Sequence, residues 1–568
     1  MIFISLNETV LFRVLYWALI GRKLYLVEIS PIFAQSEGPL RWVAGKLQKW
    51  GRLGDICDLA PRLTRLREDL YTEYFTDIFR KVEPWMGKQF DFSGAEKTLG
   101  DYAMPYKHAV CAYIGTRLKA ALFIDYICRN HGAENTAIAG FDQDVIGIYR
   151  AYSGKEVDCG VLASRGRSPI LSWFFFSLIV LYSAFHVIRH LSFGKPRQKS
   201  FALGADCICD HRDREIYRLF ELEDVLLVFR NRRLLEKEGG NWSEYAQVLV
   251  AGGVFSPAQA AKAVFSIVRE TLALRRFSAS PGSGHYKTVL SLPFKRALYR
   301  ALFTKYPCGH FWGRDDYNSE HIIRSQELRR IGGVPMGLNH GLPIAAIIAP
   351  HLRYIDYDFY YTFGTHLYDK YYRDTWAPEM RVRTSGSLGM TEERLKLLDK
   401  PKNRNILFFA KPGYEDQALA KALLKLSDAF PDRKIILCVK ESFMRSGKGR
   451  NFMDRVGKRD NIVTSDQGTY DLMAQSAYSV SDPSSVAAEA VHFAMASFLL
   501  DIDKRESLIF RDFPEMCFDS ADGIIERIRS IESGAWTYPR EKLLPLINYA
   551  PRALADYVAA DINPGANP

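Results

Sequence analysis

The chain has 568 residues, of which 48% are apolar and 25% charged, and a net charge of +11 at neutral pH. That length exceeds what one hydrophobic core holds, so at least two domains are expected, and the apolar content excludes a disordered chain. The nine cysteines follow no repeating framework, which sets aside a disulfide scaffold and points to reduced thiols in a cytosolic compartment.

Zinc-finger spacing and aromatic-basic RNA signatures do not occur, so no nucleic-acid partner is expected. The basic balance points instead to phospholipid or nucleotide phosphate. Residues 2–5 are a short apolar run, and Asn7-Glu8-Thr9 opens an apolar helix over 10–20 with Gly21 past its end. Residues 23–29 are a second strand, so the chain opens strand–helix–strand, the start of a parallel sheet. The amino terminus has no basic n-region and no small-residue cleavage site, and so does not read as a signal peptide. Helical periodicity dominates 40–130, and 135–139 with 144–152 add a strand and a helix.

Residues 170–188 contain no Asp, Glu, Lys or Arg. Such a run is long enough to span a bilayer. Basic residues flank both ends (Arg165 and Arg167; Arg189, Lys195, Arg197 and Lys199), so the positive-inside rule gives no orientation. A span would separate the opening strands from the later ones, which are expected to share one sheet. The expectation is therefore a hydrophobic insertion, 168–193, that lies in or dips into one leaflet. A buried core helix and a true span are the alternatives.

Further strands are expected at 199–208 and 224–230, and Ser256-Pro257 begins a capped amphipathic helix. A run from Asp315-Asp316 leads into a helix over 320–330. A strand over 334–338 ends at Asn339-His340-Gly341. Two more strands, 359–363 and 382–385, follow, the second leading to Gly386. A histidine at a strand's carboxyl end can act as general base on a hydroxyl, with Asp316 the other candidate. Gly341 lets backbone or substrate come close. The plain alternative is a loop histidine with a structural hydrogen bond.

The charged stretch 391–404 reads as a linker. A strand over 405–410, a helix over 417–430 and a strand over 434–440 ending at Lys440 come next. Residues 461–464 are a third strand. The stretch 470–503 then reads helix, strand, turn (Asp482-Pro483-Ser484-Ser485), Ala-rich helix, strand. In a parallel sheet, ligands bind at carboxyl ends of strands and the helix N-termini that follow. That puts Ser484 and Ser485 where a phosphate would sit. Glu489 lies one helical turn beyond Ser485, suited to ribose hydroxyls. The alternative is an ordinary βαβ unit with serine caps.

The small-residue turn before Glu489-Ala490 resembles the nucleotide-binding half of GT-B glycosyltransferases. His340-Gly341 resembles the His-Gly pair of bacterial surface-polysaccharide and teichoic-acid-type, glycerophosphotransferase-like enzymes. The resemblance implies an α/β fold of two Rossmann-like domains facing a cleft. Residues 1–390 would be the acceptor side, 391–404 the linker, 405–550 the donor domain and 551–568 a C-terminal helix and tail. It also implies transfer of a sugar or polyol phosphate from a nucleotide-activated donor to a glycan or lipid-linked acceptor, in surface polysaccharide or capsule synthesis at the cytoplasmic face of the inner membrane. His340 would be the base or would orient the acceptor, with Asp316 as alternative base. Gly341, Gly386, Lys440, Ser484 and Ser485 would lie on the donor, and Glu489 on its ribose. Three positions depart from the pattern. Asn339 stands where Trp or Gln commonly precedes the His, and Lys440-Glu441-Ser442 replaces a His-Pro pair. Ser481 occupies the place of the glutamate of retaining enzymes, which points to inversion. No metal or cofactor is expected, because helix N-termini and Lys can bear leaving-group charge. A sugar-nucleotide epimerase and a non-catalytic membrane-bound scaffold of the same fold are the rival readings.

Overall fold

The computed structural model describes residues 1–7, 10–29, 38–60, 63, 75–131, 133–165, 169–193, 199–277, 284–339, 341, 350–410, 416–439, 444, 447–457, 459–502 and 509–563. Three parallel sheets follow one another along it, where two were expected.

The first sheet holds β1 (Ile2–Leu6), β2 (Leu24–Ile29), β3 (Leu53–Asp55), β4 (Ala137–Asp142) and β5 (Gly160–Arg165), in the order β3-β2-β1-β4-β5. Every pairing is parallel. The opening strand–helix–strand does not share a sheet with the strands after residue 200. The reason lies in the strands that 130–165 supply: β4 pairs with the free side of β1, and β5 with β4, so this module has enough strands of its own. Two helices, α1 (Leu11–Leu19) and α2 (Pro39–Lys49), bury Val14, Ala18, Leu40, Ala44 and Leu47 against Ile2, Ile4, Leu24 and Leu26 on one face. The other face carries α3 (Ala103–Asn130), buried along most of its 28 residues. This helix is buried on most of its sides because both faces are covered. Phe3 and Ile138 of the first sheet share its core with Leu226, Val228 and Phe311 of the second.

The second sheet runs β12-β11-β10-β9-β6-β7-β8. Its strands are β6 (Phe201–Asp206), β7 (Val225–Phe229), β8 (Ala246–Leu249), β9 (Cys308–Gly313), β10 (Val334–Leu338), β11 (Phe359–Thr362) and β12 (Arg381–Thr384). The third runs β15-β14-β13-β16-β17-β18, from β13 (Asn403–Ala410), β14 (Ile435–Val439), β15 (Ile462–Val463), β16 (Ser476–Ser481), β17 (Ala496–Leu500) and β18 (Cys517–Phe518). Both are parallel throughout. Such strands are covered on both faces, which is why they read as continuous apolar runs. The stretch expected as one amino-terminal domain thus contains two sheets. The expected linker is partly regular, holding a helix over Glu392–Leu398 capped by Thr391 and the first residues of β13.

Between the first two sheets lies α4 (Pro169–Arg189), followed in the chain by α5 (Pro257–Arg275). The two are antiparallel: Leu191, just past α4, bridges to Phe255, just before α5, while the Arg275 guanidinium sits 3.6 Å over the Trp173 ring. Ser183 and Val187 are buried. Ser183 returns its hydroxyl proton to the Ile179 carbonyl at 2.7 Å, which satisfies a polar group on an apolar helix. Leu178, Leu181, Tyr182, Phe185 and Ile188 remain exposed, 44–66%, and Phe265 of α5 is 72% exposed beside them. The helix is therefore docked on the protein along one stripe and bare along the other, so it is not a buried core helix. Among the described residues no helix is long and apolar enough to cross a membrane.

Candidate active-site cleft

The loops past the carboxyl ends of the second sheet touch the third sheet directly, and the contact is polar. After β16 the chain turns through Asp482-Pro483 into α6 (Val486–His492). Glu489 of this helix is buried. Its Oε2 accepts from the Tyr470 hydroxyl at 2.7 Å and from the Ser387 hydroxyl at 2.9 Å. Its Oε1 has the Ser485 hydroxyl at 3.5 Å, so Ser485 and Glu489 do share a face, as their spacing predicts. Burial pushes the Glu489 carboxyl up, against the pull of the Tyr470 and Ser387 hydrogen bonds and the Arg212 charge. Ser387 belongs to the loop after β12, so this contact joins the two sheets.

Arg212 reaches the same group from the loop after β6. One of its nitrogens donates to the Tyr470 hydroxyl at 2.6 Å. Asp210 holds the rest of its guanidinium, with Nε at 2.9 and 3.0 Å and Nη2 at 2.6 Å. Arg314 donates to Asp210 at 2.7 Å and to Asp213 at 3.1 Å, and the Trp312 indole donates to Asp213 at 3.1 Å. Burial alone would raise Asp210, but Arg212 and Arg314 outweigh it and hold the carboxyl below its usual range. The result is a fixed row of charge and hydroxyl, Arg314–Asp210–Arg212–Tyr470–Glu489–Ser387, that joins the second sheet to the third. Nothing in the sequence reading singled out Arg212, Tyr470 or Ser387. The signal that existed was the polar run Asp210-His211-Arg212 just past an apolar strand.

Gly386 lies at the same crossing. Its φ is +74°, and a Cβ would come 2.3 Å from the Asn548 carbonyl oxygen and 2.5 Å from the His492 ring. Only glycine fits there. The next residue, Ser387, donates its backbone N–H to His492 Nδ1 at 2.9 Å. A ring nitrogen that accepts from an amide cannot also hold a proton. Burial, with the Arg540 charge, lowers the His492 pKa to about 4.

The remaining expected site residues fall differently. His340 and Lys440 lie outside the described residues. Gly341 is described: its N–H donates to Asn339 Oδ1 at 3.1 Å, and among the described residues no atom lies within 4 Å of where a Cβ would stand. Asp316 is fully buried and accepts from the Tyr360 hydroxyl at 2.7 Å. One of its oxygens is thereby taken, and an acceptor hydroxyl reaching that oxygen would displace Tyr360. Ser484 and Ser485 are half-buried at the start of α6, and the Ser485 side chain does not cap the helix.

Behind the row, Asp206, Arg230, Asp315 and Arg324 form a buried ion cluster at the ends of β6, β7 and β9. Arg230 pairs with both acids, and Arg324 donates to Asp315 at 2.5 and 3.0 Å. Burial raises Asp206, whereas at Asp315 the two guanidinium groups overcome burial and hold the carboxyl low.

No family model matches the chain, and no curated protein matches it. Several solved structures match part of it at low identity. The UDP-GlcNAc 2-epimerase from Neisseria meningitidis bound to UDP-GlcNAc matches with a TM-score of 0.42 at 11% identity, over 65% of this chain and all of that one. The wall teichoic acid polymerase TagF matches with a TM-score of 0.39 at 12% identity, over 69% and 97%. Acinetobacter baumannii MurG matches with a TM-score of 0.35 at 10% identity, over 64% and 99%. About a third of this chain lies outside each match.

Proposed function

We propose that the chain is a GT-B transferase that moves a sugar or polyol phosphate from a nucleotide-activated donor to a glycan or lipid-linked acceptor. The observation that carries this reading is Glu489: a buried carboxylate in the first turn of α6, bonded to Ser387 of the second sheet's loop and to Tyr470, which Arg212 holds from the same side. A ribose hydroxyl takes the place of the Ser387 or Tyr470 hydroxyl on this carboxylate, whose strength as an acceptor grows as water is excluded. Arg212, fixed by Asp210 and permanently charged, suits a donor phosphate. Ser484, Ser485 and Lys440 complete the donor side. His340 serves as general base toward the acceptor, with Gly341 beside it and Gly386 fixing the crossing loop. Positive charge held in place stabilises the departing nucleotide without a metal, and transfer proceeds with inversion. The reaction belongs to surface polysaccharide synthesis at the cytoplasmic face of the membrane, where the bare face of α4 and α5 meets the lipid.

The test is calorimetry against UDP-, GDP-, CMP- and CDP-linked donors, followed by a transfer assay with the donor that binds. Glu489→Ala is expected to weaken that donor at least tenfold with the fold retained. His340→Ala is expected to lower turnover by about 10²–10⁴-fold with little change in donor KM, the usual loss for a general base. Unchanged donor affinity in Glu489→Ala overturns the donor-site assignment. Conversion of the donor sugar without any acceptor would identify an epimerase instead.

A further inference from the structure

The outermost surface of the first module has a composition that its fold does not require. On α1 the stripe opposite the sheet carries Phe12, Tyr16, Leu19 and Ile20, exposed by 82, 60, 83 and 51%. On α2 and its end stand Trp42 and Trp50, 65 and 68% exposed. Both helices bury their other stripe against the same strand residues of β1 and β2, so these aromatic stripes face outward together. The surface continues onto β5, where Val161 and Leu162 are 46 and 44% exposed and the Leu162 carbonyl accepts from Arg13 at 2.9 Å.

Charge on this surface has one sign. Residues 10–27 and 38–53 contain Arg13, Arg22, Lys23, Arg41, Lys46, Lys49 and Arg52, and no Asp or Glu. All seven are exposed, and among the described residues none pairs with a carboxylate. The Lys46 ammonium instead lies 5.6 Å over the Trp42 ring. Exposed Phe, Tyr and Trp in contiguity mark an interaction site. Interleaved with cations and free of anions, they match the interface of an anionic bilayer, where Trp and Tyr sit at headgroup depth and each basic residue adds attraction within a Debye length.

We propose that the outer face of α1 and α2 docks on an anionic phospholipid leaflet. It is a contact separate from the bare apolar stripe of α4, and it does not rest on the transferase reading. Two such contacts answer the rule that stable peripheral binding takes more than one signal.

The experiment is co-sedimentation of the full chain with vesicles of phosphatidylcholine alone and of phosphatidylcholine mixed with phosphatidylglycerol. Wild-type protein is expected to prefer the mixed vesicles and to lose that preference as salt rises. Trp42→Ser with Trp50→Ser, and separately Lys46→Glu with Lys49→Glu, are each expected to weaken binding to the mixed vesicles on the order of tenfold. These side chains are exposed, so melting temperature should stay unchanged. Leu181→Ser with Phe185→Ser, on α4, should reduce binding to both vesicle types and keep the preference. Equal binding of wild type to both vesicle types, or wild-type binding by the α2 variants, overturns the proposal. So does a light-scattering mass that is dimeric in wild type and monomeric in the α2 variants, which would assign the face to a second copy.

Discussion

His492 and Gly386 show how closely one residue of the third sheet is fitted to one of the second. An Ala at 386 would have to keep φ at +74° and would drive its Cβ into the Asn548 carbonyl. Left-handed backbone on a residue with a Cβ costs about 1–3 kcal/mol before the clash is counted. Gly386→Ala is therefore expected to lower stability by at least about 2 kcal/mol, read as a fall in the urea midpoint. His492 makes a second prediction, in pH. Folded, it takes a proton only near pH 4; unfolded, it does so near its ordinary 6.5. Between those values the unfolded chain binds more protons, so the contribution of His492 is complete above 6.5 and is lost as pH falls toward 4. The loss is at most about 1.4 kcal/mol per pH unit. His492→Asn keeps an acceptor for the Ser387 amide without titrating. Unfolding curves at pH 7 and 5 should therefore fall further apart in the wild type than in this variant.

At the scale of elements, α4 separates two kinds of apolar residue that composition treats alike. Val187 is fully buried, so Val187→Ala is expected to destabilise by about 1–3 kcal/mol through lost burial and a residual cavity. Leu181→Ser, at a position 66% exposed, should leave the melting temperature unchanged. Equal effects of the two on melting temperature would show that the bare stripe is covered by protein. Much of the element order was legible because buried strands announce themselves as apolar runs. The strand expected at 334–338 is β10 to the residue, and Ser256 caps α5 through its bond from the Gln259 amide. The strand β9 was not legible: Gly309 and His310 break the apolar run of Cys308–Gly313, and its neighbours β6 and β10 supply the burial that holds it. The partition into three sheets was also hidden. It depends on which side of β1 accepts β4, a choice made in space and not in local periodicity. In the site, Ser485 and Glu489 were legible because they lie one helical turn apart. Arg212 and Tyr470 are 258 residues apart, and no spacing rule connects them.

At the scale of the molecule, the chain enters the third sheet from β12 and then comes back. Its last helix, α7 (Leu554–Ile562), packs Leu554 and Val558 against Leu203, Ala205, Trp312 and Leu338 of the second module. Asp561 accepts from the Tyr361 hydroxyl at 3.0 Å and pairs with Arg383 at 2.8 Å. Removing residues 551–568 is expected to unfold the second module ahead of the third, with limited proteolysis cutting first within 200–384. Protection of that region in the shortened chain would show that α7 is dispensable. The returning helix also sets an order of events during synthesis. The first sheet and its helices leave the ribosome early and can close at once. The second module waits, with a slot open beside Trp312 and Tyr361, until α7 emerges, its Asp561 lying 200 positions after Tyr361. A chaperone bound over that slot would act on the middle of the protein by delaying the docking of α7.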